Sequence, residues 1–275
     1  MKNILKLSAL ILFVFLAFSC TTEDSNAINQ NKIKANDLKF VGIEHNRGLE
    51  ETLIYLKTNK SELSKLNSDG GLKSIENFLI SRIEKGTNYS KKSNEIGISE
   101  TKKAFEALKN KKIVRKYSQR SNSNNVNNYL SRLEEIMQVS DVSVEIVIDN
   151  ITNLENEIEN SNLNLTEEDL ITLFSATQTA KYTSEYWANN IQDWIELSNT
   201  QNTNRCGQEG CYTDVVGSIA GSDVAGAVGG AAGAWAVNII PGLGQVAYGS
   251  AIVGGAVGTS VTDAVSQFLD WWNEE

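Results

Sequence analysis

Apolar residues recur every three or four positions between residues 39 and 200. This spacing is the period of an amphipathic α-helix with one face turned to a core. Five segments of this kind precede a longer one: 40–59, 71–85, 99–117, 127–139 and 143–161. Runs rich in Asn and Ser at 59–71, 86–99 and 118–128 are interpreted as their connections. The pattern therefore predicts a helical bundle domain over residues 39–200.

The strongest helical pattern follows Thr166 and continues to about residue 200. Thr166 is a typical N-cap, and Asp169 three positions later favours a capping box. Apolar positions keep one phase throughout, which predicts a rod of about 45 Å. A long helix with a single apolar stripe is expected to pack against several shorter helices. The segment before it, VSVEIVID, also fits a strand, and helix is favoured because the helical period continues to Ile158.

The pattern changes after residue 212, where small residues replace large apolar ones. Two neighbouring rows of small residues are spaced four apart, first in one segment and then in a second. The first segment has Gly217, Gly221, Ala225, Gly229 and Gly233 beside Ser218, Ser222, Gly226, Gly230 and Ala234. The second has Ser250, Gly254, Gly258 and Thr262 beside Ala247, Ala251, Gly255 and Thr259. Between them lies a turn signal that contains the only Pro of the chain: Pro241, Gly242 and Gly244.

These rows predict an antiparallel helical hairpin over residues 212–275. Small residues let two helix backbones approach closely. Each Gly inside a helix costs about 1 kcal/mol relative to Ala, so this hairpin needs close packing or a bilayer to offset the cost. The predicted fold class is therefore all-α: a helical bundle with one long amphipathic helix, followed by an antiparallel glycine-zipper hairpin. The predicted packing residues are Gly217, Gly221, Gly226, Gly229, Gly230, Gly233, Gly254, Gly255 and Gly258.

Whether this hairpin enters a membrane is left open by the sequence. The uncharged runs 224–240 and 242–262 approach the about 20 residues that span a bilayer. Against insertion, Gly and Ala make both runs only mildly hydrophobic, and no Lys or Arg follows Arg205. Asp223 and Asp263 are expected to lie at the edges of the spans. The alternatives are insertion into a membrane and packing on the bundle.

The first residues, MKNILKLSALILFVFLAFSC, form a secretory signal: two Lys precede an apolar run. Leu16–Cys20 resembles a bacterial lipobox, with Phe18 a loose fit. The resemblance implies cleavage after residue 19 and acylation of Cys20, which would hold the protein at the lipid membrane. Residues 20–38 are predicted to be a flexible, lipid-anchored tether. The expected location is the outer membrane of the cell envelope, on its surface or its periplasmic face.

The two remaining cysteines, Cys206 and Cys211, lie in the predicted linker 201–211. With Gly between them, they are predicted to close a small disulfide loop, as an oxidising compartment favours. A metal site is not expected, because the only His is distant in sequence and two thiolates are too few for structural zinc.

Charge and motifs argue against two broad classes of function. The net charge is −9 and no basic patch occurs, so nucleic acid is not an expected partner. No motif of hydrolases, phosphate-binding loops or zinc proteases is found, and no cofactor is predicted. The only His, His45, is expected to be a packed or surface residue. The chain is therefore predicted not to be an enzyme.

Three features resemble uncharacterised envelope lipoproteins of the Bacteroidetes type: EHNRGL at 44–49, SEYWANNIQDW at 184–194 and the Gly/Ala-rich end. The small-residue rows are also similar to the glycine-zipper segments of some envelope proteins and small bacteriocins. These resemblances imply a lipoprotein whose hairpin inserts in or associates with membrane, as a bacteriocin-like or oligomer-forming module. The alternative is a structural or partner-binding lipoprotein with a soluble packed hairpin. A homo-oligomer and a separate protein partner both fit.

Overall fold

The computed structural model describes residues 33–59, 69–85, 90–110, 123–198, 210–236 and 246–273; side chains at 69, 233–236, 246–250 and 267–273 lie outside the described set. A short 3₁₀ turn, Ala35–Leu38, leads into the first of eight α-helices in this part of the chain. The helices are α1 Lys39–Thr58, α2 Asp69–Lys85, α3 Lys91–Lys109, α4 Asn124–Met137, α5 Val144–Glu159, α6 Glu167–Ile195, α7 Asp214–Ala236 and α8 Val246–Asn273. The all-α prediction is confirmed.

The long helix α6 begins as its sequence predicts. The Thr166 hydroxyl accepts a hydrogen bond from the Asp169 N–H at 3.1 Å, and the Asp169 carboxylate accepts one from the Thr166 N–H at 2.9 Å. Helices α1, α4, α5 and α7 all contact α6. Because neighbours lie on several sides, every residue from Leu170 to Ala180 is buried, beyond the single stripe that the sequence predicts.

Three helices, α2, α3 and α4, begin inside segments that the sequence marks as connections, and α2 does so at Asp69. Helix α3 starts at Lys91 and α4 at Asn124. In each case a Ser from the polar run is the N-cap: Ser90 accepts from the Ser93 N–H at 3.1 Å, and Ser123 accepts from the Val126 N–H at 3.4 Å. In both polar runs, therefore, a Ser occupies the N-cap of a helix, a position that Ser favours.

The ambiguous segment VSVEIVID is mainly helical. Only Val142 and Ser143 form a strand (β1), and α5 starts at Val144. This strand pairs antiparallel with Cys211–Tyr212 (β2), with Val142 opposite Tyr212. The pair fixes the chain just before α7, and the fully buried Tyr212 donates a hydrogen bond to the Met137 carbonyl at 3.2 Å.

Helices α7 and α8 form an antiparallel hairpin joined through a small-residue face. A Cβ placed on Gly226 would overlap the carbonyl oxygen of Gly255, and one placed on Gly255 would overlap the carbonyl oxygen of Gly226. A Cβ on Gly230 would likewise overlap the Ala251 carbonyl. The backbones are therefore in direct contact at these positions, as small residues permit.

The second small row of α8 packs against a different helix, α3. A Cβ on Gly254 would lie 2.8 Å from the Gly97 Cα, and one on Gly258 would lie 3.0 Å from the Thr101 Cα. The Thr101 hydroxyl donates to the Gly254 carbonyl at 3.1 Å. Helix α8 thus has two adjacent faces of small residues, one packed against α7 and the other against α3.

The other predicted packing glycines have different surroundings. A Cβ on Gly217 would lie 2.6 Å from the Met137 carbonyl oxygen, so this residue packs on the end of α4 and on Tyr212. Gly221 has no atom within 4 Å of such a Cβ, and Gly229 is half-buried. Gly233 belongs to α7, but its side-chain position lies outside the described set, as do Pro241, Gly242 and Gly244 of the predicted turn.

The hairpin and the other helices belong to one compact unit, residues 33–275. Helix α8 contacts α1 and α3, and α7 contacts α6. Within the described residues, Asp214–Ala232 is the one segment long and apolar enough to cross a membrane, and 78% of its apolar window is buried inside the protein. The same composition therefore serves as a core helix in this structure.

We expect Gly226→Ala to destabilise the protein and Gly221→Ala to stabilise it. The new methyl at 226 overlaps a backbone carbonyl on α8, which costs about 2 kcal/mol or more, whereas a methyl at 221 meets no atom and gains up to about 1 kcal/mol of helix propensity. Urea unfolding measures both free energies. Equal effects at the two positions would contradict the assigned face.

Candidate functional site

A cluster of buried polar side chains lies where the hairpin meets the bundle. It comprises His45 on α1, Thr183 and Trp187 on α6, Asp223 on α7, and Ser260 and Asp263 on α8, all with 0% exposure. We call these six residues the Asp223 cluster. Four helices that are distant in sequence supply its members, so it forms only when the hairpin is docked.

Asp223 is the centre of the cluster. Its Oδ2 accepts a short hydrogen bond from the Thr183 hydroxyl and a second one from the Trp187 indole N–H at 3.1 Å. The His45 Nε2 lies 3.4 Å from the same oxygen. Within the described chain, the Asp223 Oδ1, the Ser260 hydroxyl and the His45 Nε2 make no hydrogen bond of normal geometry.

The second buried carboxyl belongs to Asp263, one helix away from Asp223. The Ser222 hydroxyl, from the residue next to Asp223, donates to the Asp263 Oδ2 at 2.9 Å. This bond crosses the α7–α8 interface beside the glycine contact. Each carboxyl is thus held by a hydroxyl of a neighbouring helix, which links α7 to both α6 and α8.

Burial sets the protonation of the His45–Asp223 pair. Loss of water raises the pKa of Asp223 well above its usual value, and the nearby Asp263 raises it further, while hydrogen bonds to Asp223 oppose the rise. Burial lowers the pKa of His45 to about 4, and the charge of Arg82 adds to that effect, while a hydrogen bond with Asn46 opposes it. Both shifts disfavour the charged forms, so burial favours a neutral imidazole beside a neutral carboxylic acid.

The cluster is suited to holding helices together and has no surface for a substrate. All six members are fully buried, so no ligand reaches them without opening the fold. No group of three or more His, Cys, Asp or Glu side chains is placed to hold a metal ion in the part of the chain that the structure describes. The arrangement therefore connects the hairpin to α1 and α6 inside the protein.

An open cleft of about 360 Å³ lies elsewhere, between α1, α2 and α8. It is lined by five charged side chains on α1 and α2, and its apolar part includes Phe78 and Val253. Arg82 lies against α1, since its guanidinium carbon would be 3.4 Å from a Cβ on Gly48. The cleft has enough room for a small molecule.

The sequence-predicted residues have mixed placements. Cys20 and Cys206 lie outside the described residues, and Cys211 is buried in β2, so the lipidation and the disulfide stay predictions. Asp223 and Asp263, expected at the edges of membrane spans, are fully buried among protein groups. The lone His45 is packed, one of the two surroundings that the sequence allows.

Sequence reasoning missed Thr183 and Trp187 as donors to Asp223, and Arg82 as part of a cleft. The available signal was the pair of carboxyls, Asp223 and Asp263, at the edges of otherwise uncharged runs. Their polar partners on α6 carry no mark in the sequence, because Thr183 and Trp187 fit the apolar stripe of that helix as well as they fit a polar role. No family model, no curated protein and no solved structure matches this chain.

We expect the two members of the buried pair to give opposite pH dependences of stability. His45 has a lowered pKa, so its contribution is present above its unfolded value of 6.5 and is lost as the pH falls toward about 4, by about 3 kcal/mol at most. Asp223 has a raised pKa, so its contribution is fully present below its ordinary value and is lost as the pH rises through the raised one.

Urea unfolding between pH 4 and pH 8 measures this for the wild type, Asp223→Asn and His45→Asn. Asp223→Asn should lose more stability on acidification than the wild type, and His45→Asn should lose less. The double variant serves as the control, because it removes both contributions and leaves those of the surface carboxylates. Identical pH profiles in both single variants would contradict the assignment.

Proposed function

We propose that this protein is a non-enzymatic lipoprotein, anchored in the cell envelope through an acylated Cys20, that binds a partner and uses its glycine-rich hairpin as a packed core. The observation that supports this best is the burial of α7: most of Asp214–Ala232 lies inside the protein. The predicted disulfide between Cys206 and Cys211 belongs to the same proposal, because an exported protein meets an oxidising compartment.

The contacts of the small faces support a packed hairpin. Gly226 and Gly230 of α7 are in contact with the α8 backbone, and Gly254 and Gly258 of α8 are in contact with α3. At these four positions, the close backbone approach that offsets the cost of glycine is made within the chain. Neither face needs a bilayer or a second copy to fill it.

The two buried carboxyls support the same reading. A carboxyl inside a membrane is costly unless it finds partners. Here Asp223 has Thr183 and Trp187 as donors, and Asp263 has Ser222. Thr183 and Trp187 belong to α6, so a hairpin that left the bundle would lose the donors of Asp223.

A second candidate is the membrane-inserting, bacteriocin-like or oligomer-forming module that the sequence suggests. The length and composition of Asp214–Ala232 favour it, because this segment meets the requirement for a membrane span. Insertion would require α7 and α8 to separate from α1, α3 and α6. The two candidates therefore differ in whether the hairpin ever leaves the bundle.

Dye-loaded liposomes distinguish the two candidates. We expect the lipid-free chain from Thr21 onward to stay in the aqueous phase and to release no dye at neutral pH. The hairpin alone, residues 206–275, provides the comparison, since it lacks α3 and α6 and exposes its small faces. Leakage or lipid partition of the longer chain to the extent shown by the isolated hairpin would overturn the first candidate in favour of the second.

The anchor is tested separately in cells. We expect the wild-type protein to incorporate labelled palmitate and to fractionate with the outer membrane, and Cys20→Ala to lose both properties because the acylated thiol is gone. Cys211→Ala is the matched control, since it removes a cysteine outside the signal region and should leave acylation unchanged. Labelling of the Cys20→Ala protein would contradict the anchor.

A further inference from the structure

The cleft between α1, α2 and α8 has more positive than negative charge on its walls. Arg47, Arg82 and Lys85 face two carboxylates, those of Glu44 and Glu51. Both carboxylates are already engaged by arginines: Glu44 pairs with Arg47, and Glu51 pairs with both arginines. The local balance is therefore positive in a chain whose net charge is −9.

Arg82 is the fixed cation of this cleft. Its side chain is only 16% exposed, its Nε donates a short hydrogen bond to Glu51, and its Nη2 lies 3.5 Å from the Glu44 carbonyl oxygen. A guanidinium has five N–H donors, so several remain for a ligand. Because Glu51 holds the group in place, little ordering is needed when an anion binds.

Lys85 provides a second cation at the rim. It is the last residue of α2, its side chain is exposed, and no ion pair to it is found among the described residues. An exposed Lys without a carboxylate partner is free to approach a bound anion. Its flexible stem suits a point charge, while the planar fork of Arg82 suits a carboxylate or phosphate.

The remaining wall of the cleft is mainly apolar, and Ser81 is its one polar side chain among the described lining residues. Val253 of α8 and Ile83 of α2 are 4% and 8% exposed, and the half-buried ring of Phe78 lies against Tyr55 with the ring centres 4.3 Å apart. Gly254 adds a wall without a side chain. A ligand that fits this surface has an apolar stem beside its charged group.

We propose that this cleft binds a small amphiphile: one anionic head group, a carboxylate or phosphate, held by Arg82 and Lys85, with its apolar stem against Phe78, Ile83 and Val253. The proposal goes beyond the proposed function, because it adds a site for a small molecule. It does not depend on the membrane anchor, because all the residues involved lie in the compact unit 33–275.

Binding is tested on the lipid-free chain from Thr21 onward with octanoate and octyl phosphate as probes and octanol as the uncharged match. We expect both anions to bind at least about tenfold more tightly than octanol, since a charge-assisted hydrogen bond contributes about 1.5–3 kcal/mol. Amide signals of Gly254 and Gly48 should shift in nuclear magnetic resonance spectra, while that of Gly210 beside Asn189 should not. The tighter of the two anions identifies the head group.

Variants test whether Arg82 and Lys85 bind the anion directly or only through the overall charge of the protein. Arg82→Gln should weaken octanoate binding by about tenfold or more, and Lys85→Gln by about threefold. Lys39→Gln, an exposed position on α1 that is not part of the cleft, should leave it unchanged. If Arg82→Gln does not fold, Lys85→Gln still tests the proposal, because Lys85 makes no ion pair or hydrogen bond in the part of the chain that the structure describes.

Two results would overturn the proposal. One is octanol binding as tightly as octanoate, and the other is unchanged anion binding by folded Lys85→Gln and Arg82→Gln. Neither result bears on the anchor or on hairpin burial, which the fractionation and liposome experiments address. Failure of those experiments with anion binding intact would remove the proposed function and leave the cleft in place.

Discussion

The structure depends on direct backbone contact between α7 and α8 at Gly226 and Gly255. There is no room for a methyl group on either residue, so the distance between the two helices is set by main-chain atoms. The same closeness recurs where Gly254 meets Gly97 of α3. Because helices this close exclude larger side chains, the hairpin is narrow enough to lie within the bundle and contact α1, α3 and α6 together.

The Asp223 cluster provides the specific contacts that a core of small residues lacks. Small residues bury little apolar surface each, so specificity for one docked arrangement has to come from other contacts. Hydrogen bonds from Thr183 and Trp187 to Asp223, and from Ser222 to Asp263, provide it, because each connects different helices. Burial disfavours the charged forms of both His45 and Asp223, as expected for ionisable groups removed from water.

The functional proposals follow from what this packing leaves at the surface. The small-residue faces of the hairpin and the Asp223 cluster are buried in contacts within the compact unit 33–275. Their role is therefore to stabilise the fold. The cleft beside Arg82 retains unused donors on a positive wall, and it borders α8 through Val253 and Gly254. A ligand there would contact the hairpin and the bundle together, so binding and hairpin docking would be thermodynamically linked.

The sequence by itself determined the all-α class, the start of α6 at its Thr166–Asp169 box and the presence of two small-faced helices, because periodicity and capping are local. It also marked Asp223 and Asp263 as unusual. Only the tertiary structure decided that the second face of α8 belongs to α3, that Ser90 and Ser123 start helices, and that both carboxyls are buried. The spacing of glycines predicts that a helix approaches a neighbour closely, but it does not say which helix that neighbour is. The sequence around a lone carboxyl likewise does not reveal its hydrogen-bond donors, because these come from helices tens of residues away.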